Sequence, residues 1–502
     1  MKLHALFSGV RKRWLVQLVI LGLIISALNV GNVLVLDTLW HDAEFNNLVF
    51  FLLLGIGAYL LTIVESYLGE KLGQHYLKDI RHQLYTELMS PKNEQPPRRL
   101  GVSMSRMITD SNNIKNWASS GAATLVTSGF SFIGYLVLIF YLWPSFSWQV
   151  SWVVAGLFSL SLALTPRLTE LALTLRTDRG RLSGHLCERI MGYQSVNQFR
   201  QIKREGRRLN RCSEMLGDTS KQNSVFQAVL TQQTAMWFCI LLALLFTHQV
   251  WQEHPVGQNF GTLMLIIGLL FNALRDITIS WGYAITYYVA KERLELAMSR
   301  TRGNYKRQIH QIDTNLALCL CVKNFSVPFS GENLSVNIFK GRSIDLSSID
   351  PINKTAICTV LSGIVTDYMG DVALEKMDIR TINNSSLRRH VYIIDDQCQL
   401  FRGTVLTNIR YGNRRASEEE VSNVCLFVGI SPERLDCAVA EFGRHLDKTL
   451  YNQVLIARVL LSKPKLIVLN HHGIGQDVVL MRLLKVNASV ETYTLLSLVR
   501  ME

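Results

Sequence analysis

Six long apolar segments, separated by polar stretches, occupy most of the chain before residue 300. A helix needs about 20 mostly apolar residues to cross the ~30 Å hydrocarbon core of a bilayer. The segments that approach this length are 14–36, 48–64, 121–143, 150–164, 225–247 and 260–285. The fourth is short, and the fifth carries Gln227, Gln232 and Gln233. The pattern predicts a polytopic α-helical membrane domain with six transmembrane helices.

The charges between these segments predict their orientation. The connections 37–47, 144–149 and 248–259 contain no Lys or Arg, whereas the other connections are rich in both. Because cytoplasmic loops carry the excess of Lys and Arg, we expect both termini in the cytoplasm. The formal net charge of +13 is explained by this asymmetry. Nucleic-acid binding is not expected, because basic patches interleaved with aromatic residues are lacking away from the membrane-proximal helices.

Two of the basic connections, 65–120 and 166–224, are unusually long. In the first, Leu68, Leu72 and Tyr76 recur at helical spacing. We therefore expect each connection to be a helix that leaves the membrane, a short reversal and a helix that returns. The alternative is a pair of ordinary amphipathic loops.

The pattern changes after a basic linker at 301–315. Short apolar strands alternate with helical stretches over the segments 316–322, 334–338, 342–346 and 355–361, followed by a strand at 391–394, a helix around 454–461 and a strand at 466–469. This alternation predicts an α/β domain over 316–502 with a partly parallel sheet, after a membrane domain over 1–300. The nine cysteines fall in no metal-binding spacing, so we expect reduced thiols and no metal site.

Several sequence strings carry a resemblance to a known family. The strongest are Ser386-Leu-Arg-Arg-His-Val-Tyr-Ile-Ile and Leu400-Phe-Arg-Gly-Thr-Val-Leu-Thr-Asn-Ile-Arg-Tyr-Gly-Asn. These strings resemble the region around the Q-loop of the ATP-binding-cassette (ABC) exporter family. Together with the six spans, they make the chain resemble a half-transporter of that family. The segments 76–85, 106–114 and 180–199 resemble its coupling-helix regions, and 453–469 resembles the helix that leads into its Walker B strand. The resemblance implies a P-loop NTPase-like α/β domain and assembly as a dimer with a second half-transporter subunit.

The same resemblance locates a phosphate-binding loop in which only Lys354 and Thr355 survive. In the family, glycines let backbone N–H groups wrap the β-phosphate, while a Lys adds charge and a Ser or Thr hydroxyl holds Mg²⁺. Here every loop glycine is absent, Pro351 has no N–H, and Asp350 adds a negative charge. We expect a strand-to-helix turn that keeps only the fold, with weak nucleotide binding as the alternative.

The other family motifs are altered as well. The Walker B positions that should hold a Mg²⁺-orienting Asp and a water-polarising Glu are Asn470 and His471. The Q-loop glutamine corresponds to Asp396, with Gln397 beside it as the alternative alignment. The signature motif, which in the family presses a helix N-terminus onto a γ-phosphate, corresponds to Leu446, Asp447, Lys448, Thr449 and Leu450.

We therefore expect a degenerate, truncated nucleotide-binding domain without catalytic residues, since 493–502 contains no switch-loop His. No cofactor is expected from this chain alone, and ATP and Mg²⁺ would be bound only through a partner or weakly. The chain is then a pseudo-ATPase rather than an enzyme.

Charged and amide side chains within the spans are candidates for a translocation pathway. The candidates are Gln232, Gln233, Asn272, Arg275 and Asp276. An unpaired charge in the hydrocarbon core costs at least ~2.5 to 3.5 kcal/mol, so Arg275 and Asp276 should face protein or water. An interhelical salt bridge is an equally open explanation for these two.

These observations leave several functions open. The first is the catalytically inactive half of a dimeric exporter that moves a small molecule, peptide or lipid across a bacterial cytoplasmic (inner) membrane, in contact with membrane lipid. The second is an ATP-independent carrier, or a scaffold or regulatory membrane protein, built on the same fold. The third is a decaying paralogue.

Overall fold

The computed structural model describes residues 6, 8–41, 44–89, 100–251, 260–299, 318–326, 333–363, 368–489 and 493–499. They form two compact units, a helical one within residues 1–301 and an α/β one built mainly from residues 302–502. The predicted linker 301–315 lies outside the described residues.

Long helices make up the first unit. They are α1 (Val10–His41), α2 (Phe45–Met89), α3 (Leu100–Ser105), α4 (Ser111–Asn116), α5 (Ala122–Leu142), α6 (Pro144–Met191), α7 (Tyr193–Gln198), α8 (Ile202–Trp251) and α9 (Phe260–Ser299). Two π-helical turns, Arg106–Asp110 and Trp117–Gly121, join α3, α4 and α5 into one helical run. Six helical runs are long and apolar enough to cross a membrane, which confirms the six predicted spans.

The helices that contain the predicted spans are much longer than a bilayer requires. α2 continues through the first half of the connection 65–120, and residues 90–99, where the reversal was predicted, lie outside the described residues. α6 and α8 extend through 166–224, with the short α7 between them. In the described residues both long connections are therefore mainly helical, interrupted in the second by turns at Gly192 and at 199–201.

Apolar side chains of the helical unit are found both in a buried core and on the exposed surface. Ile139, Val150, Leu157, Leu241 and Ile266 pack in a buried cluster formed by several helices. Along α2, by contrast, many large apolar side chains are exposed, among them Leu52, Leu53, Ile56, Tyr59 and Leu60. Such a surface suits lipid, because a membrane helix satisfies its backbone hydrogen bonds internally and turns apolar side chains outward.

A buried ion cluster joins three helical segments of this unit. Asp110 ends the first π-helical turn, and its side chain is only 2% exposed. Its Oδ1 lies 3.8 Å from Arg176 Nε of α6, and its Oδ2 lies 3.6 Å from Arg293 Nη1 of α9. Arg176 also donates through Nη2 to the backbone oxygen of Thr286, at 2.6 Å. A single carboxylate thus holds two arginines from different helices.

The α/β unit contains ten strands and seven α-helices among the described residues. In chain order these are β1 (Leu318–Ser326), β2 (Leu334–Phe339), β3 (Ser343–Asp345), α10 (Pro351–Leu361), β4 (Met369–Leu374), β5 (Met377–Asp378), α11 (Asn384–His390), β6 (Val391–Asp395), β7 (Gly403–Thr404), α12 (Val405–Arg410), α13 (Glu418–Val428), β8 (Ala438–Val439), α14 (Lys448–Leu461), β9 (Leu466–Asn470), α15 (His472–Gly475), α16 (Val478–Ser489) and β10 (Thr494–Ser497). The predicted strands at 391–394 and 466–469 and the helix at 454–461 are present. The segment 355–361 is helical.

The strands of this unit form a four-stranded antiparallel sheet, a four-stranded parallel sheet and a small antiparallel pair of β7 and β8. The antiparallel sheet has the order β2-β1-β4-β5, and the parallel sheet has the order β3-β10-β9-β6. In β9, Leu466 and Val468 belong to one buried cluster, while Ile467 and Leu469 belong to another on the opposite face. Burial on both faces explains why this parallel strand is an unbroken apolar run.

Candidate functional site

The carboxyl ends of the parallel strands meet beside α10, where open α/β sheets bind their ligands. Asp395 of β6 pairs in register with Asn470 of β9. A cavity of about 450 Å³ opens at this edge and is lined by Ser347, Pro351, Lys354, Thr355, Asp396, Asn470, His472, Gln476, Leu498 and Val499. The fold therefore brings together four residues selected from the sequence: Lys354, Thr355, Asp396 and Asn470. Asp396 lines the cavity, and its neighbour Gln397 does not.

Lys354 and Thr355, the two residues retained from the family's phosphate-binding loop, donate to backbone oxygens of preceding residues. Lys354 Nζ donates to the backbone oxygen of Ser347, at 2.6 Å. Thr355 Oγ1 donates to the backbone oxygen of Pro351, at 3.1 Å. The ammonium group thus closes the short connection between β3 and α10, and the hydroxyl bonds one turn back along its own helix.

Asp350 occupies the N-terminus of α10. Its Oδ1 accepts the backbone N–H of Ile352, at 3.4 Å, as expected for an N-cap residue. A helix N-terminus carries a partial positive charge that attracts anions. The carboxylate of Asp350 supplies that anion from within the chain.

The residues after β9 contain an imidazole where the family resemblance locates a catalytic carboxylate. His471 Nδ1 accepts the backbone N–H of Ile474, at 3.2 Å, and so caps α15. Burial lowers the pKa of His471 below its usual value of 6.5, despite the nearby carboxylate of Asp396. Asp396 Oδ1 lies 3.8 Å from His471 Nδ1 and accepts the backbone N–H of His472, at 3.2 Å. We therefore describe His471 as a neutral structural cap at neutral pH.

The residues that correspond to the signature motif also lie at the start of a helix that has an N-cap. Asp447 Oδ1 accepts the backbone N–H of Leu450, at 2.5 Å, at the start of α14. The other oxygen, Oδ2, lies 3.6 Å from Arg434 Nη1 in an exposed ion pair. Leu446 is half-buried, Lys448 and Thr449 are exposed, and Leu450 is buried. An aspartate thus caps both helices that the family resemblance assigns to phosphate binding.

A second cavity, of about 660 Å³, lies in the helical unit between α1, α2, α5 and α9. Its lining is mostly hydroxyl and amide groups, from Asn29, Asn32, Thr62, Ser66, Ser119, Ser120, Thr124, Thr127, Ser128, Ser131, Tyr135 and Asn272. Three carboxylates complete the polar lining, those of Glu65, Glu70 and Asp276. This cavity is the larger of the two.

Only two of the five predicted pathway residues line this cavity. Asn272 and Asp276 line it. Gln232 is exposed, while Gln233 is buried and donates to Ser161 Oγ, at 2.6 Å. Arg275 is exposed, and none of the ion pairs among the described residues includes it. The interhelical salt bridge considered for Arg275 and Asp276 is therefore not formed in the described part of the chain.

The sequence pattern did not single out the carboxylate most deeply buried in this cavity. Glu65 is only 7% exposed, and its Oε1 accepts a hydrogen bond from Thr127 Oγ1, at 2.5 Å. Ser128 Oγ donates to Asp276 Oδ2, at 3.4 Å, and Lys115 Nζ donates to Glu70 Oε1, at 2.8 Å. The available signal was a carboxylate directly after the predicted span 48–64, which we had assigned to the start of the cytosolic connection.

Comparison with known proteins gives consistent results. Residues 14–274 match the family described as the ABC transporter transmembrane region. The chain is 22% identical to the ABC transporter ATP-binding protein YknV of Bacillus subtilis, over 82% of this chain and 72% of that protein. It is also 22% identical to the ATP-dependent lipid A-core flippase of Syntrophus aciditrophicus, over 84% of this chain and 72% of that protein.

A solved structure shows the same fold. It is that of a bacterial Atm1-family ABC exporter with ATP bound, with a TM-score of 0.81 and 16% sequence identity, covering 98% of this chain and 91% of that one. The likeness confirms the predicted fold class, six membrane helices followed by an α/β domain of the P-loop NTPase type.

Proposed function

Because the chain belongs to the ABC transporter transmembrane region family and has the fold of an ABC exporter half-transporter, we propose that it is the catalytically inactive half of a dimeric exporter. In this proposal a second half-transporter subunit provides ATP hydrolysis. The chain is a multi-pass membrane protein. We place it in a bacterial cytoplasmic (inner) membrane with both termini in the cytoplasm, on the charge asymmetry of its connections.

The observation that carries this proposal is the replacement of phosphate and metal contacts by internal ones. Lys354 donates to Ser347, and Asp350 caps the helix N-terminus on which a phosphate would lie. Asn470 gives no carboxylate for Mg²⁺, and His471 serves as a cap. Phosphoryl transfer depends on positioned groups that stabilise the charge of the phosphates and hold the metal. The groups present do not fit ATP and Mg²⁺, because they are bonded internally or carry no carboxylate for the metal.

A second candidate, an ATP-independent carrier or a scaffold or regulatory protein, is favoured by one specific observation. Asp350 and Asp447 cap both helices at which the family binds phosphate. In a family dimer each site combines the phosphate loop of one chain with the signature segment of the other. This chain would therefore alter both sites of a heterodimer, which a carrier independent of ATP would tolerate.

The nature of the transported molecule is a separate part of the proposal. Several similar proteins are named as ATP-dependent lipid A-core flippases, so lipid is one candidate class, alongside small molecules and peptides. The polar lining of the membrane cavity favours a hydrophilic molecule over an acyl chain.

The test is purification of the full chain from its native membrane together with whatever copurifies. ATP turnover and photolabelling by an azido-ATP are measured on the chain alone and on the copurified assembly, with Lys354→Ala as the matched variant. We expect no turnover by the chain alone and no effect of Lys354→Ala. Turnover that disappears in Lys354→Ala would contradict the proposal.

The copurified material separates the two candidate functions. A stoichiometric partner with intact nucleotide motifs, and transport that stops when ATP is depleted, support the inactive half of an exporter. A homodimer that transports equally well after ATP depletion supports the carrier. Photolabelling of the partner but not of this chain would show that the partner holds the bound nucleotide.

A further inference from the structure

The charge of the membrane cavity indicates which molecules it accepts. We propose that it binds a hydrophilic organic cation, a polyhydroxylated amine, whose ammonium groups are received by Glu65 and Asp276. This inference rests on the proposed transport role and adds a substrate class to it.

Among the described residues, every charged side chain that lines the cavity is acidic. They are Glu65, Glu70 and Asp276. Glu70 is paired with Lys115, at 2.8 Å. Neither Glu65 nor Asp276 forms an ion pair with a basic side chain in the part of the chain that the structure describes. The cavity therefore carries two carboxylates that no cation of the protein neutralises by direct contact.

Arg275 does not alter this conclusion. It precedes Asp276 on α9, but its side chain is exposed and does not line the cavity. Arg275 and Asp276 do not form an ion pair among the described residues. A ligand inside the cavity has direct access to Asp276.

Glu65 has the strongest requirement for a cationic partner. Its side chain is almost completely buried, and the hydroxyl of Thr127 bonds to only one of its two oxygens. Among the described residues, Oε2 has no hydrogen-bond donor. Burial of a carboxylate is costly unless a compensating charge is close, and a neutral hydroxyl supplies none. An ammonium group within the cavity would provide both the charge and the missing donors.

The size and lining of the cavity favour an organic molecule over a bare ion or a lipid chain. A volume of about 660 Å³ lies in the range of pockets for small organic ligands. Within the part of the chain that the structure describes, the apolar lining consists of Ile25, Ala123, Leu269 and Ala273, so an acyl chain would bury little apolar area. Asn32 Oδ1 is buried and has no hydrogen-bond partner, and a hydroxylated ligand would satisfy it.

The experiment uses the full chain in lipid nanodiscs, with any copurified partner, and kanamycin as a polyhydroxylated amine. Its fully N-acetylated form is the matched control, because it keeps the scaffold and lacks the charges. Calorimetric titration should show saturable binding of kanamycin, and binding of the acetylated form should be roughly 10-fold weaker or more. Glu65→Gln and Asp276→Asn should each weaken kanamycin binding to a similar degree. Glu188→Gln, which changes an exposed glutamate outside the cavity, should leave it unchanged.

Three results would overturn the assignment: no binding of kanamycin by the unmodified chain, equal binding of the acetylated form, or unchanged affinity in both cavity variants. Folding of each variant is checked by its melting temperature and elution volume. If Glu65→Gln does not fold, Asp276→Asn and the charge-conserving Glu65→Asp decide the question.

Kanamycin accumulation in cells distinguishes this inference from the proposed function. Binding that depends on Glu65, combined with accumulation that is the same with and without the chain, would contradict the transport role and leave the site intact. Export of a lipid probe by a chain that does not bind kanamycin would contradict the site and leave the transport role intact.

Discussion

Thr127 and Ser128 are neighbours on α5, yet their hydroxyl groups donate to carboxylates on two different helices. Thr127 bonds to Glu65 of α2, and Ser128 bonds to Asp276 of α9. The bond at Glu65 is the shorter of the two, at 2.5 Å against 3.4 Å. One turn of α5 therefore contacts two of the three carboxylates of the membrane cavity.

We expect Thr127→Val to destabilise the helical unit, because it leaves the buried carboxylate of Glu65 without its donor. The loss of a partner for a buried polar group costs about 1 to 3 kcal/mol. Thr127→Ser keeps the hydroxyl and is the control. The measurement is the melting temperature of the full chain in one detergent. Equal melting temperatures for the Val and Ser variants would show that this hydrogen bond contributes little.

Asp447 should stabilise the first turn of α14 as an N-cap. Replacement by Ala removes the acceptor for the backbone N–H of Leu450 and should cost about 1 kcal/mol. Asp447→Ser supplies another good N-cap and should cost much less. Hydrogen–deuterium exchange of the peptide that contains the start of α14 measures the difference within the full chain. Similar exchange in the Ala and Ser variants would mean that the exposed ion pair with Arg434 is the more important contact.

Acidification should destabilise the α/β unit through His471. Burial lowers the pKa of this imidazole in the folded state, whereas the unfolded chain has a pKa of about 6.5. As pH falls below about 6.5, the unfolded state binds the proton first, so the free energy of unfolding decreases until the folded state is protonated too. Protection factors of α15 and β9 at about pH 7.5 and about pH 5.5 follow this change, because they correct the exchange rates for the pH dependence of unprotected amides.

The matched variant for this pH dependence is His471→Asn, which keeps a side chain able to cap a helix and cannot be protonated. We expect it to lose part of the acid sensitivity of α15. If the variant and the unmodified chain respond identically to pH, another titrating group is responsible.

Asp110 should be among the most sensitive positions of the helical unit. Asp110→Asn removes the charge that compensates Arg176 and Arg293, and loss of one partner from a buried ion pair costs about 3 to 5 kcal/mol. The combined change Asp110→Leu with Arg176→Met removes a charge of each sign, and it should be better tolerated than Asp110→Asn. Thermal unfolding of the three proteins in the same detergent compares them. A double variant less stable than Asp110→Asn would contradict this account.

The sequence predicted the features that depend on a residue's own polarity. The six spans were predictable because a bilayer requires long apolar runs. The strand at 466–469 was predictable because a parallel strand buried on both faces is apolar throughout. The Lys and Arg distribution predicted an orientation that remains a prediction.

Features that depend on partners distant in sequence were not predictable. Nothing near Lys354 indicates that its ammonium group bonds to Ser347, and the choice between Asp396 and Gln397 needed the position of each relative to the cavity. Arg275 and Asp276 are adjacent in sequence and were treated together. Consecutive residues of a helix point about 100° apart, which explains why one lines the cavity and the other is exposed.

The two π-helical turns before α5 determine which side of that helix meets the cavity. Each turn, Arg106–Asp110 and Trp117–Gly121, accommodates one more residue than an α-helical turn would. A π-helical turn absorbs its additional residue by winding less per residue, so the same residues wound as a regular α-helix would rotate everything beyond them by about 100°. Thr127 and Ser128 would then turn away from Glu65 and Asp276, although no cavity residue had been changed. The acidic lining of the membrane cavity therefore depends on helical phase as well as on composition.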